Sequence, residues 1–149
     1  MLRISKLADY ATVIMSYLAQ HRNVALNAVE IASAIAIPLP TVRKVLKALQ
    51  AAKLLHSSRG AEGGYQLARS ADNIYLGQII EAIDGALALT ECCTPTRNCS
   101  QQQHCHTKDH WQMINKVVRQ ALYKVDLTHL EQKKPAEVLV SVPSRGQRA

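Results

Sequence analysis

Apolar residues recur at three- and four-residue steps through Ile4, Leu7, Ala8, Ala11, Ile14, Met15 and Leu18. That spacing puts them on one face of a helix. Ser5 and Asp9 fall near its start, and His21-Arg22-Asn23 ends it. Asn27 with Glu30 three residues on has the pattern of a capping box, so a short helix is expected from Ala28 to about Ile35. Ile37-Pro38-Leu39-Pro40 then forces a turn: Pro38 disfavours helix in the residue before it, while Pro40 suits the first position of a new helix. In that new helix Val42, Val45, Leu46 and Leu49 share one face, with Arg43, Lys44 and Lys47 on the other side. Two short helices joined by a tight turn, the second basic on its outer face, make a helix-turn-helix candidate.

The pattern then changes period. Lys53 to Ser57 reads as a strand and Tyr65 to Ala68 as its return, joined by a polar connection with three glycines that permit positive φ. Arg59 and Gly60 fall close to the tip of this hairpin. Helix, helix-turn-helix and hairpin in that order describe a winged helix. Residues 74–85 form a further helix on Leu76, Ile79, Ile80 and Ile83, with Gly85 as its stop. Residues 91–106 carry no useful periodicity and are expected to be a loop. A long helix, Lys108 to Tyr123, follows, with Trp111, Ile114, Val117, Val118, Ala121 and Leu122 on one stripe and Lys116, Arg119 and Lys124 opposite. Its short flanks cannot bury that stripe, so a partner subunit is the economical cover and a homodimer is expected. The fold class is mainly α: a winged helix-turn-helix with a small β-hairpin wing and a long dimerisation helix. The divisions are a DNA-binding domain over 1–85, a cysteine-rich loop over 86–107, a dimerisation helix over 108–132 and a disordered tail over 133–149.

Composition agrees with helices. Among 149 residues, 48% are hydrophobic, yet Phe is absent and the aromatics are five Tyr and one Trp, so the core is Leu, Ile, Val and Ala. Apolar stretches are broken well before the 18 or so residues that a membrane span requires. The opening MLRISKLADY lacks the apolar run of a signal peptide, so a soluble, cytoplasmic protein is expected.

Charge separates the halves. Residues 1–70 hold nine basic and three acidic side chains; residues 71–149 hold nine and eight. The surplus sits with the helix-turn-helix, where a polyanion-binding surface is expected. A solvated face that keeps the chain soluble is the bland alternative, and a single exposed Arg or Lys is more often that than a base reader. The major groove of DNA admits a helix whose first turns reach base edges. Here those positions are Pro40, Thr41, Arg43 and Lys44, with Arg43 suited to guanine and Thr41 to a hydrogen bond or a thymine methyl. Arg59, with Gly60, is placed for the adjacent minor groove or backbone, and Lys47, Arg3 and Lys6 for phosphates. Turn, hairpin and charge together point to double-stranded DNA.

All four cysteines, Cys92, Cys93, Cys99 and Cys105, fall in one segment, which in a cytosolic protein indicates metal or redox chemistry. Structural zinc favours pairs two to four residues apart, absent here, and adjacent Cys92 and Cys93 are awkward as ligands of one ion. A redox disulfide within the loop is a second reading. A 2Fe–2S cluster fits better, because thiolates are its usual ligands and Cys93, Cys99 and Cys105 are evenly and widely spaced. His104, His106 and His110 lie nearby, each taken singly more often an exposed polar residue than a ligand; Arg97 and Lys108 would favour thiolates. No nucleophile–base pairing or phosphate loop supports an enzyme.

These residues resemble a family. The opening LRISKLADYATVIMSYLA, the segment IPLPTVRKVLKALQAAKLLHSSRGAEGGYQLAR, the helix IYLGQIIEAIDG and the block LTECCTPTRNCSQQQHCHTKDHWQMIN are similar to IscR-type (Rrf2) winged-helix regulators, and within them to regulators of SUF iron–sulfur cluster assembly. The likeness runs from residue 2 to about 130. It implies a homodimeric transcription factor, not an enzyme, that holds a 2Fe–2S cluster through Cys93, Cys99 and Cys105 and binds palindromic double-stranded DNA operators. Two positions depart. A family His three residues after the last cysteine is Lys108 here, leaving the fourth ligand to His106, or to His110, Cys92 or Asp9 of the partner subunit. Arg43 stands where the same regulator carries an acidic residue that discriminates its sites. The rival readings are a cluster-free regulator sensing thiol oxidation or zinc through the same cysteines and, more remotely, an iron–sulfur carrier.

Overall fold

The structure, a computed structural model, describes residues 4–60, 63–96, 99–101 and 104–131. The expected tail, Arg3 and Arg97 lie outside these residues.

Three helices, α1 (Lys6–Gln20), α2 (Ala28–Ile35) and α3 (Leu39–Ala51), are followed by strands β1 (Leu55–Ser57) and β2 (Tyr65–Leu67), then α4 (Leu76–Asp84), α5 (Lys108–Leu122) and α6 (Leu127–Glu131). Helix α1 is the hub and packs on α3, α4 and α6. Its Ala11, Ile14, Met15 and Leu18 meet Ile31 of α2, Val42, Val45, Leu46 and Leu49 of α3, and Ile79 of α4 in one core. Helix α3 buries the stripe its spacing marks out, and α1 buries its own from Ala8 to Leu18, while Ile4 stays exposed.

The starts of α1 and α2 follow their sequence signals. Ser5 accepts from the Ala8 amide, and Asn27 accepts from Val29 and Glu30 while Glu30 accepts from the Asn27 amide at 2.7 Å. Helix α3 begins one residue earlier than the prolines suggest. Pro38 is its cap, its carbonyl accepting from Thr41 and Val42, and Pro40 is the second helical residue. A proline is tolerated there because that amide has no partner within the helix.

The wing is a two-stranded antiparallel hairpin pairing His56 with Gln66. Both strands are shorter than expected, and β2 is extended by a bridge from Tyr65 to Leu26, in the connection before α2. The glycines serve differently from the expectation. Only Gly60 of the wing takes a positive φ, 116°. Gly64 is needed because a Cβ there would lie 2.6 Å from the Leu26 carbonyl carbon, so the bridge closes only on a residue without a side chain.

A short 3₁₀ turn, Ala71–Asn73, precedes α4, and a second, Glu91–Cys93, carries two of the cysteines. The expected long helix ends at Leu122. The chain then turns at Tyr123-Lys124, bonds back to Ile74 and Leu76, and forms α6 against α1. Arg22 at the end of α1 clamps α6 through both Glu131 oxygens, at 2.7 and 2.6 Å.

Candidate nucleic-acid interface and cysteine segment

Burial of Val42, Val45, Leu46 and Leu49 fixes which side of α3 faces outward. Pro40, Arg43, Lys44 and Lys47 are exposed and Thr41 is half-buried. Arg59 and Gly60 are exposed on the hairpin that follows α3. Among the described residues the ion pairs are Arg22–Glu131, Arg119–Glu81 and His129–Asp126, so none of Arg43, Lys44, Lys47 and Arg59 is neutralised by a carboxylate. Lys6 instead lies 5.5 Å from the centre of the Tyr10 ring. One contact eluded sequence reasoning: Gln50 donates to the Ser57 hydroxyl at 2.8 Å, tying the end of α3 to the wing. Its residue types are ordinary, and only the fold makes them neighbours.

The cysteines lie at the two ends of a loop. Cys92 and Cys93 occupy the 3₁₀ turn, Cys99 lies in the loop, and Cys105 stands just ahead of α5. All four are free thiols; Cys92 is buried and the others half-buried. His104, His106 and His110 are exposed. Among the described residues no three His, Cys, Asp or Glu side chains are gathered closely enough to hold an ion, so Cys93, Cys99 and Cys105 are not brought together. The Cys105 thiol is held below the ordinary thiol range by the Thr107 hydroxyl and amide, with help from Lys108 at the start of α5.

Helix α5 is bound to this segment through its polar side. Gln112 donates to the Cys92 carbonyl, and Asn115 donates to the Leu87 carbonyl while accepting from the Leu89 amide. Farther along, Arg119 pairs with Glu81 of α4 at 2.9 Å and Tyr123 donates to the same carboxylate at 2.6 Å. The apolar side is turned outward. No residue of α5 is buried, and Trp111 and Ile114 are each 40% exposed. Between the helix and the cysteine turn runs an open groove of about 580 Å³, lined in part by Cys92, Cys93, Gln112, Lys116 and Arg119.

The chain is similar over most of its length to known proteins. The sequence profile described as "Rrf2: Iron-dependent Transcriptional regulator" matches residues 4–133. A helix-turn-helix-type transcriptional regulator of Neisseria meningitidis is 30% identical over 134 residues, 90% of this chain and 81% of that one. One from Aquifex aeolicus is 29% identical over 130 residues, 83% of this chain and 90% of the relative. Among solved structures, CymR, the global cysteine regulator of B. subtilis, has a TM-score of 0.70 at 26% identity, covering 88% of this chain and 97% of that one. IscR of T. potens has a TM-score of 0.66 at 28% identity, covering 87% and 85%.

Proposed function

Because the chain belongs to the Rrf2 family of transcriptional regulators, we propose that it is a homodimeric DNA-binding regulator whose cysteine segment holds a 2Fe–2S cluster, reporting iron–sulfur status to cluster-assembly genes of the SUF type. The observation that carries this reading is the seating of α5. Its polar side is hydrogen-bonded to the cysteine turn through Gln112 and to the segment before it through Asn115, while its apolar side is left bare. Anything that orders the cysteines therefore bears on the helix that would join two subunits, and so on the spacing of two α3 helices.

The donor set fits the group. Thiolates are the usual ligands of such a cluster, three cysteines are partly exposed, and Cys105 is already biased toward its thiolate. Cys93, Cys99 and Cys105 would hold it, with His106, or else His110 or Cys92, as the fourth ligand. When bound, the cluster supplies a redox-active cross-link between parts of the loop that are otherwise separate. On DNA, Pro40, Thr41, Arg43 and Lys44 enter the major groove, Lys47 meets phosphate, and Arg59 with Gly60 reaches the adjacent minor groove or backbone. Two such half-sites about one turn apart make the operator palindromic.

A cluster-free regulator using the same thiols is the second reading. It is favoured by the scattered cysteines and by the likeness to a cysteine regulator. Anaerobic purification with a visible spectrum and iron and sulfide assays decides between them. The expected result is a charge-transfer spectrum with about two iron and two sulfide per chain, lost in a Cys93→Ala/Cys99→Ala/Cys105→Ala variant. A colourless protein that resists reconstitution overturns the cluster and leaves the DNA-binding dimer.

A further inference from the structure

Cys92 stands outside the three evenly spaced cysteines, and its sulfur shares a hydroxyl partner with that of Cys93. Thr90 Oγ1 lies 3.1 Å from Cys92 Sγ and 3.3 Å from Cys93 Sγ. The two sulfurs therefore face one point, although they belong to adjacent residues; in an extended strand they would point to opposite sides. The 3₁₀ turn Glu91–Cys93 makes this possible, held by the Cys93 amide donating to the Thr90 carbonyl at 2.9 Å and by Gln112 on the Cys92 carbonyl. A hydroxyl has one proton, so Thr90 donates to at most one of the two sulfurs. Both cysteines line the open groove beside α5, which gives the pair an approach from solvent although Cys92 is 8% exposed.

We propose that Cys92 and Cys93 form a two-thiol site for a soft monovalent cation, Cu(I), oriented by the Thr90 hydroxyl. Soft thiolates select Cu(I), which is satisfied by two sulfurs where zinc wants four ligands. Binding replaces two S–H protons, released to solvent, by two Cu–S bonds. The product is a bis-thiolate complex of net charge −1. Lys116 and Arg119 line the same groove, and Lys116 has no carboxylate partner among the described ion pairs, so the complex forms beside compensating positive charge. The site uses Cys93, so a copper-loaded chain lacks one thiolate of the proposed cluster set. Only that consequence rests on the cluster reading.

The test is an anaerobic Cu(I) titration of the full-length reduced apoprotein against a chromophoric Cu(I) chelator. A Cys99→Ser/Cys105→Ser background removes the other two thiols. One tightly held Cu(I) per chain is expected in wild type and in that background. Adding Cys92→Ser or Cys93→Ser should weaken binding by roughly a hundredfold or more, and Thr90→Val by about tenfold, as for loss of an orienting outer partner. Equal thermal melting of the variants shows that the fold is kept; a variant that melts early is replaced by Cys92→Ala. Undiminished Cu(I) affinity after loss of Cys92, or no binding in the double-serine background, overturns the site. The iron and sulfide assay fails or succeeds separately, because the double-serine background lacks two of the cluster's three thiolates.

Discussion

At Ala36, which caps α2, the backbone takes φ 54° and ψ 37°, the left-handed conformation that the turn into α3 requires. An L-residue with a Cβ pays about 1–2 kcal/mol there, and Ala36 is exposed, so nothing nearby depends on its methyl group. Ala36→Gly should therefore stabilise the protein by about 0.5–1 kcal/mol after the extra chain entropy of glycine is subtracted, and Ala36→Val should destabilise it; urea unfolding measures both. The capping box at Asn27 and Glu30 was legible because its partners are three residues apart. Ala36 was not, since alanine has no preference for the left-handed region that would mark it in the sequence. The wing glycines were legible as a turn but not in their separate duties, because the neighbour of Gly64 is Leu26, remote in sequence. The same holds for the convergence of Cys92 and Cys93 on Thr90: the residues were visible in the sequence, and the side on which their sulfurs meet was not.

Among the elements, α4 and α5 are joined by a small set of contacts at Gly77, Glu81, Arg119 and Tyr123. A Cβ on Gly77 would lie 2.4 Å from the Tyr123 ring, so the glycine seats the tyrosine. Tyr75 stacks on the same ring at 6.2 Å between centroids, and Tyr123 donates to Glu81. Burial, and then the bond to Glu81, raise the Tyr123 pKa above its ordinary value of 10.0. A phenol with a raised pKa binds its proton more tightly in the folded chain. Its stabilisation is therefore whole below about pH 10 and is lost as pH climbs through the raised value. Tyr123→Phe should cost about 1 kcal/mol at neutral pH, a hydrogen bond to a carboxylate discounted for solvent exposure. The gap from wild type should close in strongly alkaline solution; thermal melts across pH test it, and a gap constant with pH would remove the phenolic proton from the account. The stripe on α5 was legible as a pattern, but the opposite side is less free than a solvated face. Gln112, Asn115 and Arg119 bond to the chain's own cysteine turn, to Leu87 before it and to α4 respectively. Polar side chains carry no period that announces this. Helix α6 was missed because five residues are too few for a helical repeat to show.

For the whole molecule, the cations of α3 and the wing and the bare apolar residues of α5 each call for a partner. Among the described residues, Arg43, Lys44 and Lys47 on α3 and Arg59 on the wing have no carboxylate partner, and phosphates can meet them there. On α5, Trp111, Met113 and Ile114 are each at least 40% exposed, although this helix is already anchored to its own protomer along the other side. A second copy covering the same face satisfies both chains with one contact, as a two-fold interface does. Ile114→Glu adds a charge to that face without touching the buried core of the protomer. It should leave the helical content unchanged, shift the protein from dimer to monomer in sedimentation, and lower affinity for a two-half-site operator by about tenfold or more, because the second half-site no longer binds as part of one molecule. Affinity for an isolated half-site should scarcely change. Val24→Gln, at another exposed apolar position, serves as the control and should leave the dimer intact. If the Ile114→Glu protein still sediments as a dimer, the interface lies elsewhere, and the route from the cysteines through α5 to the spacing of the α3 helices falls with it.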